Sequence, residues 1–127
     1  MKTIGSTVCA LATKQGNPRN GEGSFVRLQD ERIMYVYTRF EGEDWHDHCV
    51  AALYVIYSED EGNTWTVPAL LLEKDEKAEN IMSPSIFRMA NGQLGMVYLR
   101  KEKVGADGVA CMPVFRESAD EGKTFYE

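Results

Sequence analysis

One eight-residue pattern occurs twice, and it limits the folds open to this chain more than any other feature. Residues 58–65 read Ser58-Glu59-Asp60-Glu61-Gly62-Asn63-Thr64-Trp65, and sixty positions later residues 118–125 read Ser118-Ala119-Asp120-Glu121-Gly122-Lys123-Thr124-Phe125. Both copies fit Ser-x-Asp-x-Gly-x-Thr-aromatic, and each follows a run of strand-forming residues. This is the composition of a hairpin turn that satisfies its own backbone. Ser and Asp oxygens accept bonds from the turn's N–H groups, Gly supplies a positive φ, and the aromatic restarts the next strand facing a core. Recurrence at a fixed interval implies a repeated structural unit.

Two other readings of the pattern fail on the residues. With Gly62 at the sixth position of an EF-hand calcium loop, Tyr57 stands first and Pro68 twelfth, where Asp and Glu are required. A helix capping box from Ser58 and Glu61 is cut off by Gly62, and the flanks alternate with period two.

Taken in order, residues 3–13 mix β-branched and small side chains and are expected to form an N-terminal strand. Residues 14–23, rich in Gly, Asn and Pro, are expected to be a loop. The first unit, residues 24–72, is expected to hold four strands at 24–28, 32–39, 50–58 and 65–72, with a polar, acidic loop at 40–48. A charged link at 73–80 leads to a second unit, residues 83–127. There Ser85-Ile86-Phe87-Arg88-Met89 corresponds to Ser24-Phe25-Val26-Arg27-Leu28, and Asn91-Gly92 marks a hairpin turn. Residues 94–100 and 108–117 then match the second and third strands. Only Phe125, Tyr126 and Glu127 stand where a fourth strand belongs, so another segment is expected to complete this unit, the N-terminal strand being one candidate.

Composition narrows the function classes. A chain of 127 residues, 43% hydrophobic and 27% charged, supports one modest core. Twenty acidic against 14 basic residues give a net charge of -6, which argues against a nucleic-acid partner or an anionic membrane surface. Met1-Lys2 opens like a signal peptide, but the apolar run at 8–12 is too short and Lys14 ends it, and no stretch is long enough to span a bilayer. Cys9, Cys49 and Cys111 are odd in number and scattered, which points to a reduced, cytoplasmic setting. Cys49 reads as a small buried residue rather than a nucleophile. His46 and His48 could share a face as metal ligands, yet no third ligand stands at a suitable spacing, and neither metal nor cofactor is expected.

The paired turns resemble the Asp boxes of sialidases and related BNR-repeat proteins, and the resemblance runs from about Asn17 to the end. It implies an all-β fold of sialidase-type β-propeller blades: two four-stranded antiparallel meanders of an incomplete ring, where closed rings hold about four to eight blades. The partners implied are a terminal sugar of a glycan and either the remaining blades of a longer protein or further copies of this chain. In Pro18-Arg19-Asn20-Gly21-Glu22-Gly23, Arg19 matches the family's carboxylate-binding arginine, with Asn20-Gly21 replacing its Ile-Pro. A guanidinium offers a planar fork to such a carboxylate. Arg39 matches the arginine that precedes the family's acid/base loop. Asp44 and Asp47 both fit the acid/base aspartate, Asp47 slightly better because His48 follows it.

A general acid at that position needs a carboxyl held partly out of water with its pKa raised. Trp45 would supply an apolar wall or a face for sugar. Glu22, His48, Met82 and Ser83 complete the implied substrate contacts, while Arg27, Arg88 and Arg100 read as structural surface charges. The family's tyrosine nucleophile and its glutamate come from later blades, so these residues alone are not expected to hydrolyse sialosides. Two classes follow. One is the N-terminal part of a sialidase-like exo-glycosidase acting on terminal anionic sugars, in which Arg19, Arg39 and Asp44 or Asp47 converge on one pocket. The other is a non-catalytic module that binds glycan or protein, in which those side chains diverge or are salt-bridged away.

Overall fold

The computed structural model describes residues 4–127, and among them every regular element is a β-strand. Strands β1 (Gly16–Arg27), β2 (Ile33–Gly42), β3 (Ala51–Ser58) and β4 (Ala69–Leu72) form one antiparallel sheet in chain order. Strands β5 (Ala78–Arg88), β6 (Leu94–Val104) and β7 (Gly108–Ser118) form a second. Both are meanders in which consecutive strands pair antiparallel.

Several boundaries differ from expectation. Residues 4–13 carry no strand, and Lys14 makes only an isolated bridge to Asn17; Thr3, Met1 and Lys2 lie outside the described residues. From Gly16 onward the expected loop at 14–23 is instead part of β1. Register shifts between Gly16 and Arg19 and between Asn20 and Gly23 absorb the Pro and Gly residues, which an edge strand tolerates at bulges. The fourth strand is shorter than 65–72: Trp65 folds back so that its Nε1 donates to Gly62 O at 2.9 Å, and Pro68 offers no N–H. In the second sheet a fourth strand is only begun, by two 2.9 Å backbone bonds between Glu117 and Tyr126. Strand β5 begins at Ala78, inside the expected link at 73–80 and ahead of the expected start of the second unit at 83, with Ser83 at a φ of 53° inside a bulge.

The core lies between the sheets. On β2, Met34, Val36 and Phe40 point one way at strand period, joined by Leu53 and Val55 of β3; opposite them sit Ile86, Leu94, Met96 and Tyr98. Each such side chain contributes roughly 1.5–3 kcal/mol on burial. A polar seam fixes the approach of the two sheets. Ser24 Oγ accepts from Ile86 N–H at 3.2 Å, and Thr38 Oγ1 accepts from Ser83 N–H at 2.8 Å.

The two turns close as their composition requires. Ser58 Oγ donates to Asp60 Oδ1 (2.9 Å) and accepts from Gly62 N–H (2.8 Å); Asp60 accepts from Thr64 N–H (2.8 Å) and from the Thr64 hydroxyl (2.6 Å). The second copy repeats these bonds at 2.8, 2.9, 2.9 and 2.6 Å. The glutamate before each glycine is left-handed too, at 58° for Glu61 and 59° for Glu121, a strain the side-chain bonds hold in place.

Candidate functional site

Residues 43–50 join β2 to β3 and carry four of the nine expected site residues, Asp44, Trp45, Asp47 and His48. The loop is closed by Glu41 N–H on Val50 O (2.9 Å) and Cys49 N–H on His46 O (3.0 Å). The second sheet braces it. The fully buried Asn80 donates through Nδ2 to Asp47 O and Cys49 O, both at 2.8 Å, and the buried Lys101 donates through Nζ to Asp47 O at 2.7 Å. With its carbonyl held from β5 and β6, Asp47 turns its carboxylate toward β1.

There it meets Arg19. Arg19 Nη1 donates to Asp47 Oδ1 at 2.6 Å and to Trp45 O at 3.2 Å, and the guanidinium lies 4.5 Å over the Phe40 ring. Register explains the last contact: Arg19 pairs with Phe40 across β1 and β2, so both lie on the face toward the second sheet. Trp45 and His46 stack at 4.8 Å, and Arg19, Trp45, His46, Asp47 and His48 line one open cleft. Trp45 is 60% exposed within it.

The electrostatics oppose acid catalysis. The hydrogen bond and charge of Arg19 hold the Asp47 carboxyl below its ordinary range, with Lys101 and His48 adding in the same direction. A general acid needs the reverse shift. The ion pair is solvated, so it contributes only about 0–1 kcal/mol to stability.

The other expected residues disperse. Arg39 pairs with Asn20, one position along from the Arg19 pair, and therefore projects from the opposite face of the sheet. It lies 4.5 Å over Tyr54 and lines a separate cleft with Lys14, Asn17, Asn20 and Tyr37, its buried Nε without a partner. The expected convergence of Arg19 and Arg39 is thus corrected by strand parity. Asp44 is exposed and is not among the residues lining the Arg19 cleft. Met82 is buried against Phe40 and Ala51, which removes it from any ligand surface. Ser83 sits in the seam between the sheets, its hydroxyl 3.4 Å from Glu22 Oε2, away from Trp45 and the histidines.

Arg27, Arg88 and Arg100 are engaged by Glu61, by Glu121, and by Asp75 with Glu102, respectively. Cys49 packs against the Phe40 cluster, and Cys9 and Cys111 are free and exposed. Among the described residues no group of three or more His, Cys, Asp or Glu side chains is placed to hold a metal ion, and no helix is long and apolar enough to cross a membrane. Asn80 and Lys101 as loop braces were not legible beforehand. Their acceptors are backbone carbonyls, which leave no signature in the residue pattern.

No family model matches the chain, and no curated protein matches it. Its fold is similar to that of a crystallised protein of unknown function from Dyadobacter fermentans DSM 18053, with a TM-score of 0.73 at 17% identity. That likeness covers 91% of this chain and 36% of the other, so the chain spans about a third of the length of the protein it matches.

Proposed function

We propose that this chain forms two adjacent blades of a sialidase-type β-propeller and that the Arg19 cleft binds an anionic terminal sugar without hydrolysing it. The observation that carries this reading is the 2.6 Å pair between Arg19 and Asp47, which keeps the candidate acid ionised. Arg19 makes both its bonds through Nη1, and the rest of its fork is available to a sugar carboxylate. Trp45 offers an exposed ring face to the pyranose, and the Asp47 carboxylate accepts from sugar hydroxyls. The divergence of Arg39 favours binding over catalysis as well.

Titration of the purified chain with N-acetylneuraminic acid, followed by NMR, is expected to give saturable shifts at the Trp45 indole and Arg19 side chain. Galactose should leave them unmoved, and Arg19→Ala should abolish them. Absence of saturable shifts would sink the binding reading. One observation favours the hydrolytic alternative: Arg19 and Asp47, carried over separately from the family pattern, share one cleft. Turnover of a fluorogenic sialoside, lost in Asp47→Ala, would establish that alternative instead.

A further inference from the structure

We infer that the two outer sheet faces are complementary docking surfaces through which copies of this chain associate head to tail. The argument rests on the internal repeat and is independent of the ligand reading.

Register aligns the two sheets residue by residue. The pair Phe25–Tyr35 of the first corresponds to Ile86–Met96 of the second, and Val26–Met34 corresponds to Phe87–Gly95. Side chains alternate faces along a strand. Val26 and Met34 are buried in the core between the sheets, so their counterparts Phe87 and Gly95 look outward from the second sheet. Ile86 and Met96 are buried in that same core, so Phe25 and Tyr35 look outward from the first. Each sheet is therefore built with two packing faces. The contact inside the chain uses one of each kind and leaves one of each kind without a partner sheet; on the first sheet, residues 8–12 lie against that face, Tyr37 and Ile56 are buried, and Phe25 stays at the surface.

Both faces present aromatic rings to solvent. On the second sheet Phe87 and Phe115 are 40% and 44% exposed and stack at 6.5 Å. They lie across β6 because position 95 is Gly: a Cβ there would come within 2.8 Å of the Phe87 ring and 3.0 Å of the Phe115 ring. On the first sheet Phe25 is 59% exposed, stacked on Tyr35 at 4.4 Å and 6.0 Å from Trp65. Val8, Cys9 and Leu11 lie against these rings without strand pairing, covering part of the face and adding the exposed Val8 to its apolar surface.

Two unlike faces on one subunit make a heterologous contact, which propagates until rotation closes a ring. The occupant argued for is a second copy, because the open second-sheet face repeats the positions with which the first sheet already grips a sheet of this type. With roughly four to eight sheets in rings of such units, closure takes about two to four copies. The net charge of -6 opposes association at long range, so salt should strengthen it.

Native mass spectrometry and sedimentation equilibrium across a dilution series test this on the full chain. The expected result is a closed multiple of 14.3 kDa. Phe115→Asp and Phe25→Asp should each be monomeric alone and form a one-to-one complex when mixed, since each keeps the face the other has lost. Phe87→Lys and Val8→Asp, also at exposed positions, give a second pair with the same expectation if a first variant fails its circular-dichroism check. A monomeric parent chain at all concentrations and salts would overturn the inference and leave other sheet-bearing chains as the occupants. A dimer retained by either single variant would overturn it too, because that contact would be of one face with itself.

Discussion

The turn at residues 58–65 and the turn at residues 118–125 share one set of internal bonds, matched to within 0.1 Å, yet they sit in different surroundings. The first projects from its sheet. A Cβ on Gly62 would meet only the Trp65 ring at 3.5 Å, and Glu61 clamps Arg27 of the same sheet. The second is wedged against the neighbouring sheet. A Cβ on Gly122 would meet Met34 at 3.0 Å and Leu94 at 3.6 Å, while Glu121 holds Arg88 and accepts from Gln29 N–H at 2.7 Å. An octapeptide thus carries its own geometry, and the neighbouring sheet decides how much of the fold depends on it.

The largest expected effect separates the two glycines. Both have positive φ, 86° at Gly62 and 83° at Gly122, so alanine at either should cost about 1–2 kcal/mol of backbone strain. Gly122→Ala should add about 1–3 kcal/mol of overpacking, since the Met34 side chain it meets is fully buried. Urea midpoints of the two variants measure the gap, and equal midpoints would break the distinction drawn between the turns.

Ser58 and Ser118 sharpen the shared half of the comparison. Both are buried and both cap a glycine N–H, so Ser58→Ala and Ser118→Ala should each destabilise by about 1–3 kcal/mol and to the same extent. Unequal losses in calorimetry would mean that the surroundings reach into the turn itself.

A smaller effect is expected from the glutamates. Glu121→Gln weakens a partly buried pair with Arg88, which after solvent screening is worth about 1 kcal/mol. Glu61→Gln alters an exposed pair and should leave the thermal midpoint unchanged. The two variants measured side by side test whether the second turn ties the sheets together.

The smallest effect is in acid. The Thr124 hydroxyl and N–H, with Ser118, depress the Asp120 carboxyl from 3.8 to about 2, and Thr64 lowers Asp60 in the same way. A depressed carboxylate stabilises the fold above its unfolded value and loses that contribution as pH falls through the folded one. Stability should therefore drop between pH 3.8 and about 2, and Asp120→Asn should flatten the slope in that window. An unchanged slope in urea unfolding at stepped pH would show that the carboxylate is not linked to folding.

Strand order and both turns were legible because alternation and turn chemistry are short-range properties. Strand β1 was not: Pro18, Gly21 and Gly23 look like a loop, and only pairing to β2 through two register shifts makes them a strand. Residues 4–13 failed the other way, since strand-forming composition produces no strand without a partner. Within the site, Arg19 and Asp47 came together as the resemblance implied, but Arg39 fell on the far side by one residue of parity. Met82, implied as a substrate contact, lies in the core beside the bulge at Ser83.

What this sequence determined by itself is the repeated turn and the hairpins it closes, because every donor and acceptor involved lies within seven residues and forms its bonds with little help from the rest of the chain. Tertiary structure alone decided which side chains share a cleft. The face a residue occupies depends on bulges counted along the strand, and the direction of Asp47 depends on Asn80 and Lys101 gripping a carbonyl from another sheet.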